Sequence, residues 1–448
     1  MTDMLETLAH ALIDAARKAG AEAADALAVS GESLSVELHN TALDQAERAE
    51  GIDIGLRVLI GRRQACVSAS DARPETIAAL AERAVAMARE APEDPWAGLA
   101  EPDQLAREWD LAALDIDDPA PAPEPGLLEA RAAEAARAAL AERGISQVES
   151  AGAGWSRTRL HLAATNGFSG GYARSAHSVH CSAIAGEGTG MQRDFAYEMR
   201  CHGADMPPAE EVGRRAGQRA SALIGAGRPP TGSFPVLYDE RVASGLIGHL
   251  VNAVNGAAIA RGSSWLIDAL GERVLPAGLD LVEEPLRPRG TRSRPFDGEG
   301  LPTARREILR DGVLTGWTLD LATARKLGMQ STGNAARGTG APPSPSVGNL
   351  RLSPGERSPE ALRREMGTGL LVTSMIGSTV NPTTGDYSRG AVGFWVENGE
   401  IARPVNEFTI AGNLRDMLKR VIPANDGREY RSRIVPSLLV EGLTIAGA

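Results

Sequence analysis

The segment GSTVNPTTGDYSRGAVGFWVENGEIARPVNEFTIAGNLRDML, residues 377–418, contains the clearest strand signals in this chain. Its runs AVGFWVE and EIARPV flank Asn398-Gly399, a dipeptide typical of the two-residue turn of a β-hairpin. Asp311-Gly312 lies in the same way between ARREILR and VLTGWTLD. These hairpin signals predict that residues 229–448 form a β-rich domain.

One prominent amphipathic helix precedes these strand signals. It is predicted from about Glu240 to Ala260 and contains ASGLIGHL at positions 243–250. Apolar residues recur every four positions along it, as expected for a helix with one buried face: Val242, Leu246, Leu250 and Val254. His249 falls on the same face, where a histidine is ordinarily a core residue.

The first half of the chain shows the order helix, antiparallel strands, helix twice. Residues 1–92 follow this order once, and residues 122–228 follow it again with little sequence identity. An acidic segment rich in Pro and Ala lies between them and is predicted to be a loop or linker. The sequence therefore predicts an N-terminal α+β domain of two units, residues 1–228, ahead of the β-rich domain, and an α+β fold class.

The composition is that of a globular protein without nucleic-acid or membrane affinity. Of the 448 residues, 43% are hydrophobic and 23% are charged, and the formal net charge is −11 with no basic stripe. Three scattered cysteines do not suffice for a disulfide framework, and no apolar run is long enough to cross a bilayer. The N-terminal segment is expected to be an amphipathic helix rather than a signal peptide. We expect a cytoplasmic protein.

Several short motifs lack the structural context that their chemistry requires. GFSGG at 167–171 lies between two predicted strands and is expected to be a hairpin turn rather than a nucleophile elbow. GEGTG at 186–190 lacks the strand-then-helix setting of a phosphate loop. His177 and Cys201 could face each other across a hairpin, but strand spacing keeps the neighbouring His and Cys residues too far apart for zinc. An independent enzyme using His177 with Cys201 stays open as an alternative.

Residues 377–418 resemble the signature of the TldD/PmbA family, once called modulators of DNA gyrase, and specifically of its PmbA (TldE) branch. Three further segments fit this branch: APEDPWAGLA, LYDERVASGLIGHLVNAVNGAAIARGSSWL and PSLLVEGLTIAGA. The resemblance therefore spans nearly the whole chain. Nothing in the sequence bears on a contact with gyrase.

The resemblance implies a zinc site whose residues this chain lacks. Members of the TldD branch are zinc peptidases with an H-E-x-x-x-H helix, whose histidines bind zinc and whose glutamate is the general base. Their third ligand is a cysteine nearer the C-terminus. Placed by its Gly-His pair, the motif falls on Ser244, Gly245 and His249, and no His follows His249 and no Cys follows Cys201. We expect no catalytic residue, no metal and no cofactor in this chain.

The resemblance also implies a partner. The chain would be the non-catalytic subunit of a heterodimer with a TldD-like zinc metalloprotease subunit, which alone holds the zinc. Such a complex acts on unfolded or short peptides, including peptide and antitoxin processing. The alternative is a homodimeric peptide-binding or regulatory module without a protease partner.

A polar cluster within the signature has two interpretations. Its members precede or begin a strand that looks buried: Asn381, Thr383, Asp386, Tyr387, Ser388 and Arg389. The cluster could be a cleft or interface loop. It could equally be an Asx-type turn, stabilised by side-chain bonds from Asp386 and Asn381 to nearby backbone.

Overall fold

The computed structural model describes residues 2–377 and 379–447, with side chains described from Met4 onward. Ser378 of the signature segment and Ala448 at the end of the predicted second domain lie outside the described residues. The helices are α1 (Thr2–Ala19), α2 (Pro74–Glu90), α3 (Leu111–Leu114), α4 (Pro125–Leu140), α5 (Ala209–Ser221), α6 (Glu240–Ala253), α7 (Gly256–Ala260), α8 (Leu321–Leu327), α9 (Pro359–Met366) and α10 (Leu414–Leu418). Within the described ranges, no helix has the length and apolar composition of a membrane span.

The strands fall into a long N-terminal set and a C-terminal set with many short members. The N-terminal strands are β1 (Ala23–His39), β2 (Ala42–Ile60), β3 (Arg63–Ala69), β4 (Ile145–Ala164), β5 (Ser169–Ala185) and β6 (Gln192–Arg200). The C-terminal strands are β7 (Gly232–Tyr238), β8 (Leu281–Glu283), β9 (Arg306–Arg310), β10 (Val313–Leu314), β11 (Ala335–Ala336), β12 (Ser344–Pro345), β13 (Leu350–Leu352), β14 (Gly369–Ile376), β15 (Asp386–Glu397), β16 (Glu400–Asn413), β17 (Val421–Pro423), β18 (Arg433–Ile434) and β19 (Leu438–Ala446).

The N-terminal strands form one antiparallel sheet in the order β3-β2-β1-β4-β5-β6. The two predicted helix–strand units meet where β1 pairs with β4, from Asp25 opposite Ala164 to Leu38 opposite Ala151. They are therefore joined edge to edge within one sheet. β2 and β3 lie beyond β1, and β6 forms the far edge of the sheet.

One face of this sheet is covered by helices. Every second residue of β1 lies on this face, because side chains alternate along a strand: Ala24, Ala26 and Ala28 contact the α1–α2 side, and Leu34, Val36 and Leu38 contact the α4–α5 side. These small and aliphatic residues are almost fully buried. The helices and the sheet therefore share a continuous apolar layer.

The opposite face of the sheet packs against the C-terminal half and the predicted linker. Phe296 contacts Phe168 of the sheet side and Trp109 of the linker, with ring centroids 5.0 Å and 4.9 Å away. Asp25, buried in the sheet, accepts a hydrogen bond from Arg57 at 2.7 Å and pairs with Arg337 of the C-terminal half. The aromatic cluster and the buried ion pairs together hold the two halves in contact.

The C-terminal half is built around a ring of strands. The order β16-β15-β14-β7-β19 is closed by additional pairing between β16 and β19. The predicted hairpins at Asp311-Gly312 and Asn398-Gly399 are confirmed, and all four residues have positive φ, between 49° and 78°. That geometry is the reason why these dipeptides favour such turns. The α+β fold class predicted from the sequence is confirmed.

The predicted helix from Glu240 to Ala260 is wrong beyond Ala253. α6 ends there, and α7 begins after Asn255, whose side chain accepts a hydrogen bond from the backbone N–H of Ala257 at 2.9 Å. A residue in the capping position starts a new helix rather than continuing the old one. α6 alone therefore carries the positions of interest.

Candidate functional site

Helix α6 begins at a defined cap and presents one apolar face to the core. Asp239 caps the helix by accepting a hydrogen bond from the backbone N–H of Arg241. The helix buries residues at the spacing expected of an amphipathic helix: Ala243, Leu246, Ile247, Leu250 and Val251. Ser244, Gly245 and His249 are only half-buried, because they lie beside this face and border cavities.

Ser244 borders a groove between α6 and the free edge of the N-terminal sheet. The groove has a volume of about 300 Å³ and is also lined by Phe195, Tyr197, Arg219, Arg431 and Arg433. Phe195 of β6 is 53% exposed there. Arg241 of α6 joins the two walls, since its Nη1 lies 3.0 Å from Asp194 Oδ1 on β6.

Gly245 borders the adjoining space. This second cavity measures about 280 Å³ and includes Thr373, Met375 and Arg389 in its wall. A methyl group built on Gly245 would meet no atom within 4 Å. A side chain at position 245 would therefore project into open space.

His249 faces a different cavity, of about 510 Å³, which is also lined by Asn252, Arg261, Trp265 and Pro382. Its ring lies edge-on to Tyr387, with centroids 6.0 Å apart. Burial lowers the pKa of His249, and the nearby Arg389 lowers it further. Among the described atoms its Nε2 has no hydrogen-bond partner. The imidazole is thus neutral at neutral pH.

Zinc does not fit the three positions that correspond to the family's metal motif. Ser244 offers only a hydroxyl and Gly245 has no side chain, and Ser244 and His249 line separate cavities. In the described part of the chain, His249 belongs to no group of three potential metal ligands. A catalytic zinc needs three protein ligands around one point.

The first part of the signature cluster forms a side-chain-stabilised turn. Asn381 Oδ1 accepts hydrogen bonds from the backbone N–H groups of Thr383 and Thr384, at 2.9 Å and 3.2 Å. Asp386 instead accepts from the side chains of Thr384 at 2.6 Å and Asn413 at 3.1 Å. These two donors also keep the pKa of Asp386 low. Asn381 therefore behaves as in an Asx turn, whereas Asp386 bonds to side chains.

The same loop also forms part of a cavity wall. Pro382 borders the cavity of His249, and its carbonyl accepts a hydrogen bond from the backbone N–H of Trp265 at 2.8 Å. Tyr387 is buried beside His249, and burial raises its pKa to about 12. Ser388 is exposed, and Arg389 lines the cavity of Gly245. The cleft or interface role of the cluster stays a prediction.

The groove beside Ser244 is cationic, which was not predicted from the sequence. Burial lowers the pKa of Arg219 to about 10, and the neighbouring Arg241 contributes. Burial likewise lowers the pKa of Arg433, although the guanidinium stays protonated at neutral pH. The alternation of Phe195 and Tyr197 on an edge strand and the basic run REYRSR at 428–433 are the sequence signals that could have revealed it.

The structure does not form a Cys–His pair from His177 and Cys201. His177 Nε2 lies 3.0 Å from Asp118 Oδ2. The side chain of Cys201 packs with Leu114 and Ile116, and burial raises the pKa of its thiol. No hydrogen bond joins His177 to Cys201 among the described residues. A thiol with a raised pKa and apolar neighbours is a poor nucleophile.

Comparison with known families matches the chain in three consecutive parts. The models match PmbA/TldA metallopeptidase domain 1 at residues 24–88, the central domain at residues 114–224 and the C-terminal domain at residues 231–447. These matches cover the sheet, the groove and α6.

Relatives and solved structures agree over almost the full length. The chain is 38% identical to Metalloprotease PmbA of Escherichia coli O157:H7, over 88% of this chain and 85% of that protein. It is 35% identical to a PmbA homologue of Haemophilus influenzae, over 97% of this chain and 94% of that protein.

A crystal structure from Bacteroides thetaiotaomicron, described as a modulator of DNA gyrase, superposes with a TM-score of 0.91 at 26% identity, covering 99% of this chain and 98% of that one. TldE from Thermococcus kodakarensis shares the fold with a TM-score of 0.86 at 20% identity, covering 98% of this chain and 100% of that one. With the three domain matches and the two PmbA relatives, these findings show that the chain belongs to the PmbA branch of the PmbA/TldD metallopeptidase family.

Proposed function

We propose that this chain is the non-catalytic subunit of a heterodimeric zinc metallopeptidase, with a TldD-like chain as the zinc-bearing partner. The observation that carries the proposal is that His249 belongs to no group of three potential metal ligands among the described residues, while Ser244 offers only a hydroxyl. Gly245 between them offers no base. A chain of this family without ligands or base contributes to proteolysis by supporting a partner that has both.

The substrates we propose are unfolded or short peptides, bound along the groove beside Ser244. β6 lies at the edge of its sheet and forms one wall of the groove, so an extended peptide can pair with its backbone if it displaces Asp194 and Arg219, whose side chains now bond to the N–H and the carbonyl of Phe195. Phe195 and Tyr197 offer apolar contacts for side chains of any sequence. Arg219, Arg431 and Arg433 attract carboxylates. This mode of binding suits a complex that degrades peptides with little sequence preference.

We further propose that the complex works in the cytoplasm. The cysteines Cys66, Cys181 and Cys201 are all free thiols. Free thiols are typical of a reducing compartment.

The test is reconstitution with a TldD-like chain encoded in the same genome. We expect that this chain alone, supplied with zinc, does not hydrolyse an unstructured peptide. Mixing the two chains should give a complex on size-exclusion chromatography and peptide hydrolysis well above that of either chain. Replacing the glutamate of the partner's H-E-x-x-x-H motif by Gln should abolish the activity.

The matched control is His249→Ala in this chain. Because His249 binds no metal in the proposed arrangement, the variant complex should retain its activity within about twofold. Loss of hydrolysis in an intact His249→Ala complex, or hydrolysis by this chain alone, would overturn the proposal. Peptide binding by a homodimer that forms no complex with the TldD-like chain would instead favour a peptide-binding module without a protease partner.

A further inference from the structure

Helix α1 and strand β4 bring three potential metal ligands together, far along the chain from α6. Glu6 and His10 are four residues apart on α1 and therefore project from the same face of the helix. His161 lies on β4 two residues before Ala163, which packs in the core beneath α1 and α2. Strand alternation places His161 on that same helix-covered face.

The ligand atoms of these three residues already converge. One ligand atom each from Glu6, His10 and His161 lie within 4.8 Å of one another. The Nε2 atoms of His10 and His161 both contact the hydroxyl of Ser169, at 3.1 Å and 2.9 Å. Ligands of a tetrahedral zinc ion lie on the order of 3.3 Å apart, as bond lengths of about 2.0 Å require. Small rotations of the exposed side chains of Glu6 and His10 can shorten the present separations of up to 4.8 Å to this value.

The burial of His161 suits a ligand. The residue is only 5% exposed, so the strand holds its ring in place, and its Nε2 is the nitrogen that faces Ser169 and His10. Glu6 forms no hydrogen bond or ion pair within the described residues and is available as a negatively charged ligand.

We propose that Glu6, His10 and His161 form a binding site for a divalent transition metal of the zinc class. Two imidazoles and one carboxylate are a ligand set that zinc accepts, with water completing the coordination. Magnesium and calcium prefer all-oxygen sites and are disfavoured. The bound ion ties α1 to β4 and stabilises the N-terminal sheet. This proposal is independent of the proposed function, because the site shares no residue with α6 or the groove.

The test is zinc binding by the untagged, chelator-treated full chain, measured by competition with a chromophoric chelator. We expect one zinc ion per chain. His10→Ala should weaken binding at least about 100-fold, because loss of even an indirect partner of a metal ligand costs 10- to 100-fold. Glu6→Gln, which keeps the size of the side chain and removes its charge, should weaken binding at least about tenfold. Both residues are exposed, so the variants should fold, as circular dichroism can verify.

Two histidine variants serve as matched controls. His39→Ala removes an exposed imidazole whose one hydrogen bond within the described ranges goes to the carbonyl of Glu149, and His249→Ala removes the histidine of α6. Neither variant should change the affinity for zinc.

Co²⁺ bound in place of zinc should show the visible absorption of a four-coordinate site, and His10→Ala should remove this absorption. Absence of stoichiometric zinc, or zinc binding that survives His10→Ala, would overturn the metal site. Zinc lost only in His249→Ala would overturn it too and would also count against the proposed function.

Discussion

Gly213 of α5 and Gly245 of α6 are helical glycines in opposite physical surroundings. A methyl group built on Gly213 of α5 would lie 1.9 Å from the carbonyl oxygen of Ala135 on α4. A methyl group built on Gly245 of α6 would meet nothing within 4 Å. Glycine at 213 is therefore a packing requirement of the α4–α5 pair. Packing does not explain glycine at 245, where the resemblance places the glutamate of catalytic relatives.

This difference distinguishes a glycine that close helix packing requires from a glycine beside a cavity. α4 and α5 pack through Ala and Gly so closely that their backbones touch, and the contact tolerates no added atom. α6 instead borders cavities on the side of Ser244, Gly245 and His249. Position 245 has room for a side chain that projects into the cavity, whereas position 213 has none.

Gly213→Ala should cause the largest change in the free energy of unfolding. The added methyl group collides with backbone rather than with the flexible end of a side chain, so the two helices must separate. We expect a loss of about 3 kcal/mol in the free energy of unfolding, the upper part of the range for overpacked cores. Urea denaturation followed by circular dichroism measures it. A loss below about 1 kcal/mol would contradict the close α4–α5 contact.

The next largest change in the free energy of unfolding should come from a change of pH. It should act through Glu299, at the contact between the two halves. Burial raises the pKa of Glu299 to about 8, and the neighbouring Asp297 adds to the shift. Because the folded pKa lies above the unfolded value, the folded state holds an extra proton between about pH 4.5 and pH 8. The contribution of Glu299 to stability should therefore fall by about 2–3 kcal/mol as the pH rises through this window.

Glu299→Gln is the matched variant for this effect. The amide cannot ionise, so the decline in stability between pH 4.5 and pH 8 should become shallower, while Gly213→Ala should leave the slope unchanged. Denaturation midpoints at four or five pH values measure both slopes. Equal slopes for the wild type and Glu299→Gln over this window would show that Glu299 is ionised in the folded protein.

Gly245→Ala should cause the smallest change in the free energy of unfolding, and it should stabilise the protein where Gly213→Ala destabilises it. The methyl group enters open space on a regular helix, and alanine favours helix over glycine. We expect a gain of about 0.5–1 kcal/mol in the free energy of unfolding. The same urea series compares it directly with Gly213→Ala. Destabilisation by Gly245→Ala would mean that position 245 is packed after all.

Local patterns predicted those parts of the fold that depend on neighbouring residues. The hairpins at Asp311-Gly312 and Asn398-Gly399 were predictable because turns with positive φ select these residue types. The core-facing spacing of α6 was predictable from its period. The break after Ala253 was missed, although Asn255 is a typical capping residue, because the apolar period continues across it.

The candidate site was less predictable, because its parts come from distant segments. The groove beside Ser244 joins Phe195 of an edge strand, Arg219 of α5 and Arg433 near the C-terminus. No local pattern relates residues so far apart. The joining of β1 to β4 and the closure of β16 on β19 are likewise long-range pairings.

The sequence by itself determined the composition of the α6 positions: serine, glycine and one histidine, with no later His or Cys to complete a zinc site. Only the tertiary structure decided that Ser244 and His249 open onto different cavities, and that His161 lies beside Glu6 and His10. The physical reason is the same in both cases. Ligand types are read from residues, whereas ligand convergence depends on packing between helices and strands that are remote in the chain.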